Sequence, residues 1–378
     1  MRFQNNSYIW KILIMIVQDY ISVLESVAPL SYQEDYDNAG LIVGSRDDEV
    51  TKALICLDVT SEVIHEAIDC GADLIISHHP LVFRSLKKIN GKNDVEICLK
   101  LALKHDIAIY ACHTNMDSVS VGVNSMICDK IGLQNKHILV PKSNCLTKLV
   151  TFVPKDHFGI VQNALFEAGA GCIGNYDKCS FYTDGTGTYR ANENANPFVG
   201  EKGEFHHENE TRIEVVFPNE ITSKVVANLL KNHPYEEVAY DLFPIKNSFS
   251  KVGDGMIGEL PSPEKTEDFL NRIKKTFHCG TIRHTKILKD TVSKIAVCGG
   301  SGSFLIQDAI HSGADVFITA DVKYHEFFSA ENKIVLADIG HYESEQFTKE
   351  LFYDLLIKKN YNFAIQISKV NTNPINYI

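Results

Sequence analysis

"ALICLDVTSEVIHEAIDCGADLIISHHP" (Ala53–Pro80) and "KIAVCGGSGSFLIQDAIHSGADVFITADV" (Lys294–Val322) align without a gap at an offset of 242 residues. Cys56 falls on Cys298, Ala67-Ile68 on Ala309-Ile310, and Gly71-Ala72-Asp73 on Gly313-Ala314-Asp315. Each stretch reads as strand, loop, helix, glycine turn, strand, which is a βαβ unit of ordinary size. The glycine of "CGAD" and of "SGAD" is placed to close its helix in the left-handed conformation. A further strand follows each unit, in "IAIYACHTNMDS" and in "KIVLADIGHYESE". Two related α/β halves are therefore expected, with their strand ends around a shared cleft.

Between the halves the texture changes. From about Asn135 to Phe249 the pattern predicts a strand ("KLVTFVP"), a helix ("HFGIVQNALFEAGA"), a long polar stretch, a strand ("TRIEVVFP"), a helix ("SKVVANLLKNHP") and a strand ("EEVAYDLFPI"). That rhythm is ferredoxin-like, an independent α+β module. The fold class expected is α/β: two duplicated halves (1–134 and 250–378) forming one domain, with the module 135–249 inserted. Residues 184–210, "DGTGTYRANENANPFVGEKGEFHHENE", are expected as a polar loop, with His206-His207 solvated in it.

The 378 residues suffice for two or three domains. A net charge of −11 and no long Lys/Arg run argue against a nucleic-acid surface. The ten cysteines include no C-x-x-C pair, and Cys56, Cys112 and Cys298 lie in apolar strand-like runs, as free thiols do in a reducing cytoplasm. The apolar "YIWKILIMIV" (Tyr8–Val17) is too short to span a bilayer and runs on into an amphipathic helix, so neither a membrane segment nor a targeting signal is expected. Residues 1–14 read as a tail.

Metal-capable residues collect at the strand ends, where α/β sheets bind ligands. "ISHHPLVF" supplies His78 and His79 at the end of an apolar strand that Pro80 terminates. "CHTNMD" supplies His113 and Asp117; "TADVKYHE" supplies Asp321, Lys323 and His325; "DIGHYESE" supplies His341 and Glu345. His341 and Glu345 are four apart at the start of a predicted helix, hence on one face. Vicinal histidines on an ending strand diverge, so a pair of ions is easier to serve than one. Imidazoles and carboxylates from four loops suit a dinuclear site. Lys323 and His325 are candidate acid or electrostatic partners. "GGSGS" (Gly299–Ser303), between strand and helix, offers backbone N–H groups to a phosphate.

With "DNAGLIVG" (Asp37–Gly44), these motifs in this order resemble the Nif-three-like family, also labelled GTP cyclohydrolase 1 type 2 homologs, from about Met15 onwards. The middle segment, down to "HPYEEVAYDL" (His233–Leu242), resembles the PII/CutA-like insertion of the longer bacterial members. The resemblance implies a centre of two divalent ions (zinc, iron or manganese) held by His78, His79, Asp117, His341 and Glu345, in a toroidal homohexamer. The function expected is a metal-dependent hydrolase acting on a nucleotide or phosphorylated small molecule. A non-catalytic metal-handling or ligand-sensing oligomer is the alternative.

Overall fold

The structure is a computed structural model that describes residues 15–359 and 363–378. The expected tail, residues 1–14, lies outside the described residues. The chain divides into two compact units, Met1–Val140 with Val252–Ile378, and Pro141–Lys251. The smaller unit thus begins a few residues after the expected boundary. The reason is the strand Gln134–Lys142, which forms an edge of a sheet of the larger unit.

The larger unit contains two principal sheets. In the first, Ile365–Ile367, Ala53–Cys56, Leu74–Ser77 and Ala108–Ala111 run parallel in that order, and Gly40–Val43 closes the edge antiparallel. In the second, Thr291–Ser301, Val316–Ala320 and Val335–Asp338 run parallel, with Arg283–His284 antiparallel at the corresponding edge. The order of strands therefore repeats along with the sequence. Central strands such as Leu74–Ser77 are buried at every position, as continuous apolar runs covered on both faces should be.

The repeat extends to individual hydrogen bonds. Gly71 and Gly313 close their helices at φ 69° and 76°. Asp73 then accepts from the N–H groups of Thr51 and Lys52, and Asp315 accepts from those of Ser293 and Lys294. Lys52 Nζ donates to the Cys70 carbonyl, and Lys294 Nζ to that of Ser312. The "GAD" triplet is thus a clasp that returns the chain from helix to strand. In the cores, Leu54 and Ile75 pack with Val63 and Ile64 of the helix Ser61–Cys70. Ala296 and Phe317 take their places in the second half, against Leu305 and Ile306. A larger residue on one strand there compensates a smaller one on its neighbour, which keeps the volume filled.

The smaller unit is a β-α-β-β-α-β arrangement. Its antiparallel sheet has the order Tyr240–Ile245, Leu146–Pro154, Phe205–Pro218, Phe181–Arg190. The helices Phe158–Glu167 and Thr222–Asn232 cover one face through Val161, Leu165, Val225 and Leu229. The stretch 184–210 is not the expected polar loop. Phe181–Arg190 and Phe205–Pro218 pair over ten residues as a hairpin, and only 191–204 connects them. His206 and His207 sit on the second strand, where His206 Nε2 lies 2.9 Å from Glu208. Phe181 to Thr186 are exposed without a break on this edge strand, so no apolar alternation marks it, and its Gly content further masks the strand.

All ten cysteines are free thiols. No helix among the described residues is long and apolar enough to cross a membrane.

Candidate metal centre

The chain keeps an extended course just beyond the strand Leu74–Ser77. His78 N–H donates to the Cys56 carbonyl and His79 N–H to that of Leu57. Successive side chains of extended backbone leave on opposite sides, so the two imidazoles separate. Their ring centroids are 4.8 Å apart, tilted at 46°. His78 is wholly buried, and Phe352 of the helix Thr348–Lys359 packs against its ring.

Glu345 occupies the middle of the site. Its Oε2 is 3.0 Å from His79 Nε2, 3.1 Å from His341 Nε2 and 3.8 Å from His78 Nε2. Asp117, from the short helix Thr114–Ser118, places Oδ1 3.6 Å from His78 Nε2. His341 and Glu345 lie one turn apart on the short helix His341–Glu345. This short helix ends at Glu345, and a second, Thr348–Lys359, begins after Gln346 and Phe347. The strand-end carboxylate Asp338 accepts from Val322 and Gly340 N–H and is bound by Arg283, which fixes the loop leading into His341.

Every imidazole is oriented by an acceptor on its far nitrogen. His79 Nδ1 is 2.7 Å from Asp58, His341 Nδ1 2.6 Å from Asp321, and His78 Nδ1 3.0 Å from the Cys112 carbonyl. These partners only accept, so each Nδ1 carries a proton and each Nε2 is turned inward, the nitrogen that a metal would take. His113 joins the cluster in the same manner, with Nδ1 2.8 Å from Asp37. The ligand atoms fall into three overlapping groups: His79-His341-Glu345, His78-Asp117-Glu345 and His78-His79-His113.

This donor set fits a divalent cation. His78 Nε2 and Asp117 Oδ1 are buried with no hydrogen-bond partner, a costly arrangement that a shared cation relieves. Burial pushes the His78 imidazole down to about 4. Burial also pushes His79 and His341 down, but hydrogen bonds and charge from Asp58, Glu345 and Asp321 hold them up at about 10 and about 11. Burial and the charge of Glu345 together raise Asp117 well above the carboxylate range. Burial raises Glu345 too, yet the surrounding imidazoles hold it well below that range.

A cation binding here must displace those protons. Metal uptake near pH 7 is therefore expected to acidify a weakly buffered solution, with affinity rising as pH rises. Without metal the sign reverses. The raised His79 and His341 pKa values stabilise the fold fully below the unfolded value of 6.5, and that contribution fades through about 10 and 11. Thermal melts of metal-free and metal-loaded protein across pH should diverge in this direction. Identical pH profiles would contradict it.

Gly299 and Gly300 N–H groups donate to Asn124 and Ser344, so these two do not offer the phosphate cradle expected of "GGSGS". The role of Gly300 is steric. Its φ is +59°, and a Cβ there would meet Glu345 Oε1. Gly300→Ala is expected to weaken metal binding by about tenfold or more, the scale of losing a ligand's support. Titration with a chromogenic metal competitor measures this, and unchanged affinity would refute it.

Lys323 and His325 lie exposed on the turn after Val316–Ala320. Neither lines the cavity of about 540 Å³ that reaches Asp117 and Glu345. That cavity is bounded instead by Tyr36, His113, Asp254 and Phe304, and no Lys or Arg lines it among the described residues.

Fold and site together define a duplicated α/β protein whose strand ends bring together His and carboxylate groups that could hold metal ions. The chain belongs to the Duf34/NIF3 (NGG1p interacting factor 3) family, whose model matches residues 15–374. It is 39% identical over 366 residues to a GTP cyclohydrolase 1 type 2 homolog of Halalkalibacterium halodurans, covering 96% of this chain and 98% of that protein. A Bacillus subtilis protein of the same description is 35% identical over 367 residues, with the same coverage. Among solved structures, a Bacillus cereus protein related to NIF3 superposes with a TM-score of 0.84 at 36% identity, over 97% of this chain and all of that one. A Staphylococcus aureus protein superposes at 0.77 and 31% identity, over 97% and 99%.

Proposed function

We propose that the protein is a dinuclear metal-dependent hydrolase acting on a planar, nitrogen-containing ring of the nucleotide kind. The observation that carries this is Glu345 Oε2, which two donor groups share, His79 with His341 and His78 with Asp117. When bound, paired cations would lower the pKa of water and polarise an attacked centre.

The chain's own residues do the rest. Asp58, Asp321 and the Cys112 carbonyl hold three imidazoles in register, which pre-organises the site. His113, oriented by Asp37, lines the cavity and is placed to move a proton at Nε2, a role that Lys323 and His325 do not reach. Tyr36 and Phe304 present aromatic surface to a planar base. With no cationic lining among the described residues, the cavity favours the base end of a substrate over its phosphates. The description carried by the relatives, GTP cyclohydrolase 1 type 2 homolog, is consistent with such a ring.

The experiment is a hydrolysis screen of GTP, other nucleotides and phosphoesters on protein reconstituted with zinc, iron or manganese. Turnover that Asp117→Ala lowers by about a hundredfold or more supports the reading. Tightly bound metal without turnover of any substrate overturns it in favour of a metal-handling role. Burial of His78 and Glu345 speaks against ready metal exchange. A homohexamer, with the smaller unit acting as a PII/CutA-like assembly module, belongs to the same proposal. Exposed Phe181, Tyr182 and Phe205 near a free sheet edge support association. A stable monomer in light scattering would remove that part.

A further inference from the structure

The smaller unit contains a cavity of about 580 Å³, within the range of small-molecule sites. It lies on the sheet face away from the two helices. Glu210 and Arg212 point into it, whereas Ile213 and Val215 alternate toward the helices. Phe152, Tyr189, Phe198 and Tyr235 supply aromatic walls.

The charge of this cavity is unbalanced. Glu210 is 8% exposed, and no cationic side chain among the described residues pairs with it. Its Oε1 accepts from the Tyr235 hydroxyl at 2.8 Å. Gly187, on the facing strand, leaves the space its carboxylate needs, since a Cβ there would strike Glu210 Oε2. Glu236 and Glu237 add two further carboxylates to the lining. Arg212, the one cation lining the cavity among the described residues, is engaged by Glu214 at 2.8 Å, and Asp184 is neutralised by Lys155 at 2.8 Å. A buried, unpaired carboxylate costs free energy unless something positive meets it. Aromatic faces beside it attract the same charge.

We propose that this cavity is a binding site for a small organic cation, an alkyl- or aryl-ammonium, whose charged nitrogen pairs with Glu210 while its apolar body packs on Tyr189, Phe198 and Tyr235. No residue lining this cavity belongs to the candidate metal-binding groups, so it stands or falls separately from the hydrolase reading.

The test uses the full chain with three probes of one shape: 2-phenylethylammonium, 2-phenylethanol and phenylacetate. Choline and putrescine serve as further cations. Calorimetry is expected to find at least one ammonium bound at millimolar concentration or tighter, the alcohol weaker, and phenylacetate excluded. Glu210→Gln should weaken the ammonium by about tenfold or more while leaving metal content unchanged. Should Glu210→Gln fail to fold, Gly185→Leu decides, because a side chain at Gly185 meets open space on the cavity wall and fills the site. Retained binding in either folded variant overturns the proposal. So does phenylacetate binding as well as the amine, or no ammonium binding at all.

Discussion

Glu345→Ala is expected to strip the chain of divalent metal, lowering affinity by more than about a hundredfold, beyond what loss of an outer partner costs. The substitution removes the oxygen that approaches three imidazoles at once. It also leaves His79 and His341, whose Nε2 atoms are 3.3 Å apart, without the anion between them. Protons on both would then repel, so both pKa values should fall from about 10 and about 11. Asp117→Ala should be milder, because Asp117 belongs to only one of the three donor groups. Metal analysis after exhaustive dialysis distinguishes the two. Equal retention of metal in both variants would show that Glu345 is not the shared ligand.

Phe352→Ala is expected to destabilise the protein by about 3–5 kcal/mol, the usual cost of emptying a phenylalanine site in a core. Phe352 is fully buried, and its ring centroid is 6.4 Å from that of His78. The new space lies beside the His78 imidazole, so His78 should lose its fixed orientation as well. Denaturant unfolding of metal-free and metal-loaded protein measures the loss. A loss well below 1 kcal/mol would mean the helix Thr348–Lys359 does not seat the site as described.

Much of this is written locally in the chain. The duplication is legible because "GAD" makes the same clasp twice and apolar residues recur in step. The clustering of His78, His79, Asp117, His341 and Glu345 is legible because buried strands must end, and polar residues collect at those ends. The inward-turned role of His113 and the orienting carboxylates is less so. Asp58 and Asp37 act on imidazoles 21 and 76 residues away in sequence, and a lone Asp after an apolar run gives no sign of which ring it will hold. Asp321 is visible as metal-capable, yet it binds His341 Nδ1 rather than facing the shared centre. The first two N–H groups of "GGSGS" are engaged for a related reason. Whether a glycine turn offers its N–H groups depends on Asn124 and Ser344, which arrive from other elements. The hairpin of the smaller unit is obscured by composition, since its edge strand is solvated and needs no apolar alternation.

Anomalous diffraction from crystals of metal-reconstituted protein tests the central claim most directly. Two peaks per chain are expected, on either side of Glu345 Oε2, one beside His79 and His341 and the other beside His78 and Asp117. A single peak, or metal bound away from Glu345, would contradict it.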